Sequence, residues 1–224
     1  MIEGIRLLNE ALAANVDMDP ILYAPERLSA SAPGRALRQR LEHHSKAEQT
    51  EEHLLRGVSD TVTSQGVVAA GAITPPKPAP TDSLVLVLDG IADPGNAGTM
   101  LRTARAAGLD TVLATPSTVD LWSPKVMRAG MGAHFHLNLC RDADLAELEH
   151  RDLLLAAADD GDPYWDVDWS RPAALIVGSE AHGATPATAA ANPRRVTIPM
   201  AEGVESLNAA IAAGILLFEA RRRR

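Results

Sequence analysis

The apolar run at residues 84–88, LVLVL, is uninterrupted, and similar short runs recur at 111–114, 153–157, 173–177 and 196–198. Runs this short that do not alternate with polar residues predict strands buried on both faces, the signature of a parallel sheet between helices. A helical stretch opening near Asn96 links the first two runs and makes a βαβ unit. A last helix is predicted from about Ser206 into the arginine tail. Leu207, Ala210, Ile211, Gly214, Leu217 and Phe218 form its apolar stripe, and the trailing arginines suit its negative end.

The sharpest break lies at residues 74–82, where four prolines in nine residues exclude both a helix and a central strand. Residues 75–82 are therefore expected to be a linker between a domain at 1–74 and a second at 83–224. In the first domain, Ile5, Leu8, Leu12 and Val16 fall at helical spacing, while residues 21–23 and 66–70 predict strands, giving a small α/β unit. The stretch at 41–52 is almost wholly polar and is expected to be an exposed tip. The spacing of His134 and His136 predicts a strand with both rings on one face.

Composition narrows the function. No apolar run approaches the ~18 residues of a membrane span, and the opening residues carry acids where a secretory signal is basic and then apolar, which points to the cytoplasm. The lone Cys140 cannot form an internal disulfide, and the two histidines lack a third ligand, so no metal site is expected. With 21 basic and 29 acidic residues the net charge is −8, and the first 74 residues carry −3 of it. Bulk charge therefore cannot hold a nucleic acid, and any such partner must be held by local arginine patches.

Three glycine-containing turns follow predicted strands, at 89–98, 178–183 and 199–208, where open α/β sheets place their ligands. In the first, Gly90, Gly95 and Gly98 have the wrong spacing for a dinucleotide fingerprint, and no Gly-Lys-Ser/Thr completes a phosphate loop. In the second, GSEAHG is not a Gly-x-Ser-x-Gly elbow, so Ser179 is a poor hydrolase nucleophile. NAD, ATP and serine-hydrolase chemistry are thus disfavoured.

Taken together, LVLDGIADPGNAGTMLRTARAAG, LIVGSEAHG and IPMAEGVESLNAAIAAGILLFE, in that order across residues 84–219, resemble the SpoU branch of the knotted SPOUT methyltransferases. IEGIRLLNEAL and SDTVTSQGVVA in the first domain resemble a ribosomal-protein-like RNA-binding domain. The resemblance implies a parallel sheet with a deep trefoil knot, S-adenosylmethionine as cofactor, methylation of a ribose 2'-hydroxyl, and a homodimer. Ribosomal RNA ranks ahead of transfer RNA as substrate, and a non-catalytic RNA-binding protein on the same scaffold is the alternative. It places Asn96, Arg102, Glu180, Ser206 and Asn208 at the catalytic centre and Gly178, Ile198, Met200 and Leu207 around the cofactor. The family proposal makes the arginine at 102 the base. A guanidinium stays protonated with a pKa above about 12, so a grip on the RNA phosphate, with acceptance of the proton only late in the reaction, is the better assignment.

From spacing alone, Asn96 suits a helix cap, Arg102 a surface charge, and Ser206 with Asn208 the start of the last helix. The three ordered motifs shift the weight to catalysis. Arg35, Arg38 and Arg40 are the candidate RNA contacts of the first domain, against the plainer assignment of a solvated helix face. Trp122, Tyr164, Trp165 and Trp169 suit packing or a partner contact better than base stacking.

Overall fold

The computed structural model describes residues 1–59, 63–77, 83–179 and 183–224, and these divide into two compact units, Met1–Pro75 and Pro76–Arg224. The first unit holds strands Ile2–Glu3 (β1), Met18–Tyr23 (β2), Ala47–Gln49 (β3) and Val67–Gly71 (β4), in the order β1-β4-β2-β3. Only the β2–β3 pair is parallel. Helices Ile5–Ala13 (α1), Pro25–Ser29 (α2), Ala32–Leu41 (α3) and Glu52–Val58 (α4) complete it. Leu8, Leu28, Leu37 and Leu41 are fully buried, each a gain of roughly 1.5–3 kcal/mol over an exposed leucine. Helix α1 stops before Val16, with Asn15 in a left-handed turn at φ 54°. The polar stretch at 41–52 is not simply a tip, since β3 lies within it. An edge strand gains its backbone bonds from one neighbour and tolerates polar side chains.

In the second unit, strands Leu84–Asp89 (β5), Thr111–Ala114 (β6), Asn138–Cys140 (β7), Asp152–Ala157 (β8), Asp162–Pro163 (β9), Ala173–Gly178 (β10) and Arg194–Thr197 (β11) form one sheet. Its order is β7-β6-β5-β10-β8-β11-β9, with every pair parallel. Pleating sends Leu84, Leu86 and Leu88 to one face and Val85 and Val87 to the other, and both faces are covered. That double burial is why the strands read as continuous apolar runs. Helices Pro94–Ala106 (α5), Pro124–Gly130 (α6), Pro186–Ala190 (α7) and Ala209–Arg223 (α8) flank the sheet, and α5 and α8 help to bury its larger core. The chain moves outward from β5 to β6 and β7, then returns to β8 on the far side of β10. This reversal opens a crevice at the carboxyl ends of the central strands.

Two expectations are corrected. Residues Ala133–His136 form a single 3-10 turn, not a strand: Gly132, at φ 88°, turns the chain tightly after α6. Helix α8 starts at Ala209 rather than Ser206, because the Asn208 side chain caps it by accepting from Ala210 N at 3.0 Å and Ile211 N at 3.2 Å.

His134 is buried, with Nε2 2.8 Å from the Leu121 carbonyl oxygen and its ring 5.4 Å from that of Trp122. Burial pulls its pKa from 6.5 to about 4. The unfolded chain therefore binds a proton that the folded chain refuses. Stability should be full above pH 6.5 and fall as the pH drops toward 4, by up to about 3 kcal/mol. Asp168 and Glu219, whose pKa values are lowered by hydrogen bonds from Ser170 and from Arg222 and Arg223, contribute losses only below their ordinary values of 3.8 and 4.5. Urea midpoints between pH 6.5 and 4.5 should therefore fall in the parent protein and change little in His134→Asn. Equal slopes for the two would remove this assignment.

Candidate active site

The crevice holds a cavity of about 460 Å³, within the range of small-molecule sites. Its walls come from Leu155 through Asp159 at the end of β8, from Val177, Gly178, Ser179 and Gly183, from Ile198 and Met200 after β11, and from Ser206, Leu207 and Ala209 leading into α8. All four predicted cofactor residues, Gly178, Ile198, Met200 and Leu207, therefore line one space, and Ser206 joins them.

Glycine at 178 has a steric reason. A Cβ there would lie 2.4 Å from the Gly183 oxygen and 2.9 Å from Ala184 N. Ser179 and Gly183 exchange two backbone hydrogen bonds of 3.0 and 2.8 Å, which hold Gly183 beside the end of β10. The carboxylate of Asp89, fully buried at the end of β5, then holds Thr185. Its Oδ2 accepts from Thr185 N at 2.7 Å and its Oδ1 from Thr185 Oγ1 at 2.9 Å. The Asp89–Thr185 clamp and the Ala157–Asp159 wall were missed in the sequence. The available signal for the clamp was an acid ending an otherwise apolar strand just before Gly90.

Asn96 and Asn208 meet: Asn208 Nδ2 donates to Asn96 Oδ1 at 3.0 Å, while Asn208 caps α8 and sits between two cavity residues, Leu207 and Ala209. Asn96 lies in the first turn of α5, where Asp93 caps the helix through Asn96 N at 2.7 Å. Arg102 is not brought to this pair. Six residues along a helix place it about 120° round and ~9 Å further on, where its Nη1 donates to the Met131 sulfur at 3.1 Å. Glu180, also assigned to the centre, lies outside the described residues.

Of the candidate RNA arginines of α3, Arg35 and Arg38 meet at Ser29 and Arg40 points elsewhere. Arg35 donates to the Ser29 carbonyl and Arg38 to Ser29 Oγ and Glu42, whereas Arg40 reaches Asn9 on α1. The terminal arginines also fasten the fold: Arg221 donates to the Ala106 carbonyl, Arg222 and Arg223 bind Glu219, and Arg224 donates to the Arg171 carbonyl. Trp169 is buried and Trp122 packs on His134, leaving Trp165 as the exposed tryptophan. Among the described residues no three His, Cys, Asp or Glu side chains group as metal ligands, and no helix is long and apolar enough to cross a membrane.

A parallel sheet with a cavity at the end of its central strands, walled by segments that follow β10 and β11, defines a doubly wound α/β domain built to hold a small ligand. The family model described as SpoU rRNA Methylase matches residues 83–218, and the MRM3-like substrate binding domain matches residues 1–69. The chain belongs to the SpoU rRNA methylase family. It is 34% identical to the 23S rRNA (guanosine(2553)-2'-O)-methyltransferase RlmP of Bacillus subtilis, over 99% of this chain and 88% of that protein. It is 33% identical to the mitochondrial rRNA methyltransferase 3A of Danio rerio over 100% of this chain, which spans 63% of that protein's length. Among solved structures, the SpoU methyltransferase AviRb from Streptomyces viridochromogenes in complex with AdoMet superposes with a TM-score of 0.81 at 26% identity, covering 99% of this chain and 88% of that one.

Proposed function

We propose that this chain transfers the methyl group of S-adenosylmethionine to the 2'-hydroxyl of a ribose in structured RNA, ribosomal rather than transfer RNA, and does so as a homodimer. The observation that carries this is one cavity lined by Gly178, Ile198, Met200 and Leu207, with Asn208, between the lining residues Leu207 and Ala209 in the chain, bonded to Asn96. The names of the rRNA-modifying relatives support the substrate. The cavity's mixed walls, apolar at Ile198 and Leu207 and polar at Asp159 and Ser206, and its close backbone turns fit a nucleoside with a short amino-acid arm. S-adenosylmethionine supplies a methyl group already activated on a sulfonium.

The residues need only orient the reactants: a ribose oxygen–carbon bond would form as the carbon–sulfur bond breaks, leaving S-adenosylhomocysteine, and the hydroxyl proton would pass to water. Holding that line can contribute roughly 7–11 kcal/mol. Asn96 and Asn208 orient the hydroxyl, and Arg102 grips the adjacent phosphate as a fixed cation. That Arg102 does not line its own cavity supports a dimer in which each site is completed by the other copy. Ile211 and Phe218, 57% and 48% exposed on α8, offer an apolar face for the contact. The trefoil knot belongs to the same proposal, supported by β10 lying between β5 and β8, both earlier in the chain.

Incubation with methyl-labelled S-adenosylmethionine and total RNA from cells lacking the protein should label ribosomal RNA at a ribose, mapped by mass spectrometry of nuclease fragments. Label confined to transfer RNA would shift the substrate. Cofactor binding without any RNA label would favour the non-catalytic alternative, and label on a base would sink ribose chemistry.

A further inference from the structure

Helix α6 ends in an unusual way. Met131 takes the left-handed conformation, φ 50° and ψ 41°, and Gly132 follows at φ 88°. Glycine adopts that conformation freely and a side chain does so under strain, so a methionine there calls for a reason beyond the turn itself.

The surroundings fix the turn firmly. Helices α5 and α6 touch through Gly98, where a Cβ would come 2.4 Å from that of Ala129 and 2.7 Å from Gly130 N. Behind the turn, Gly130 lies against the His134 ring, where a Cβ would meet Cε1 at 2.5 Å, and that ring is tied to the Leu121 carbonyl. The strained residue is thus held rigidly beside α5, and its sulfur lies 3.1 Å from Arg102 Nη1.

From this placement we infer that Met131 is a positioning residue for Arg102: its thioether takes one guanidinium hydrogen and aims the remaining donors toward RNA phosphate. The inference rests on the ribose-methyltransferase proposal. A thioether suits the task chemically. As a weak, uncharged acceptor it steers the fork without neutralising the charge, whereas a carboxylate would orient the arginine and cancel the cation that a phosphate needs. Met131 does not line the cofactor cavity, so it acts through Arg102 alone.

The test uses the full chain with methyl-13C methionine. The Met131 methyl resonance, assigned by its loss in Met131→Leu, should shift in Arg102→Lys; an unmoved resonance overturns the contact whether or not any RNA is methylated. In turnover on RNA, Met131→Leu and Met131→Gly should each lower kcat about ten-fold, less than the ~100-fold that a misplacement of one ångström can cost. KM for S-adenosylmethionine should stay unchanged. Met131→Gly should melt no lower than the parent because it relieves the turn, which separates positioning from folding. In an Arg102→Lys background, Met131→Leu should have little further effect. Full kcat in Met131→Leu, a matching rise in cofactor KM, or an undiminished effect in the Arg102→Lys background would each overturn the inference. Failure of the parent protein to methylate RNA would instead strike the functional proposal, and the resonance would still decide the contact.

Discussion

Arg102→Ala is expected to lower methyl transfer by a factor of about 100 or more, the scale of losing one preorganised charged contact to a transition state, with S-adenosylmethionine binding unchanged. The separation follows from position. The cavity is walled by the ends of β8 and β10, by the segment after β11 and by the start of α8, whereas Arg102 lies on a different side of α5 from Asn96 and contacts Met131. If each Arg102 serves the partner's cavity, mixing has a sharp consequence. Arg102→Ala supplies an intact cavity, and a variant with a ruined cavity supplies an intact arginine. Heterodimers refolded from the two inactive proteins should therefore regain activity at one of their two sites. Calorimetry for binding and label incorporation for turnover read the two halves separately. Equal loss of cofactor affinity in Arg102→Ala would place the arginine in the cavity instead, and no recovery on mixing would confine each site to one chain.

The strands of the catalytic unit were legible because burial on both faces leaves runs with no polar residue to break them, as at 84–88. Their order was not. A strand that is apolar on both faces carries no mark of which neighbour it pairs with, so nothing in residues 173–177 announces a place between β5 and β8. Strand β3 escaped notice because its pairing is made by backbone atoms, to which the side chains of Ala47, Glu48 and Gln49 give no clue. The histidine pair misled for a related reason: two-residue spacing suits a strand, but Gly132 had already turned the chain.

At the candidate site, spacing alone left Asn96 and Asn208 as helix caps. The structure shows that capping and contact coexist in Asn208, whose oxygen caps α8 while its amide reaches Asn96. The grouping of Gly178, Ile198, Met200 and Leu207 came from the family motifs and not from periodicity, because residues joined by turns converge only once the sheet is assembled. The separation of Arg102 from Asn96, by contrast, was available from helical phase.

Gly178→Ala provides the ruined cavity and the sharpest steric test. Its new methyl would meet Gly183 O at 2.4 Å, Gly183 C at 2.5 Å and Ala184 N at 2.9 Å. All three are backbone atoms, so no side chain can rotate out of the way. Gly183 and Ala184 cannot retreat cheaply, since Gly183 is bonded to Ser179 and the buried Asp89 carboxylate holds Thr185. The clash is therefore resolved by opening the cavity wall, and affinity for S-adenosylmethionine should fall about 100-fold or more, or roughly 3 kcal/mol. Two other glycines calibrate the effect. Gly183→Ala meets nothing within 4 Å but must hold φ 65°, which should cost an intermediate amount through the backbone. Gly57→Ala, in α4 of the other unit and equally free of neighbours, should leave cofactor binding untouched. Calorimetric titration of the three variants, each checked for a cooperative melt, should rank them in that order. Parent-like affinity in a folded Gly178→Ala would show that the cofactor does not depend on the turn after β10.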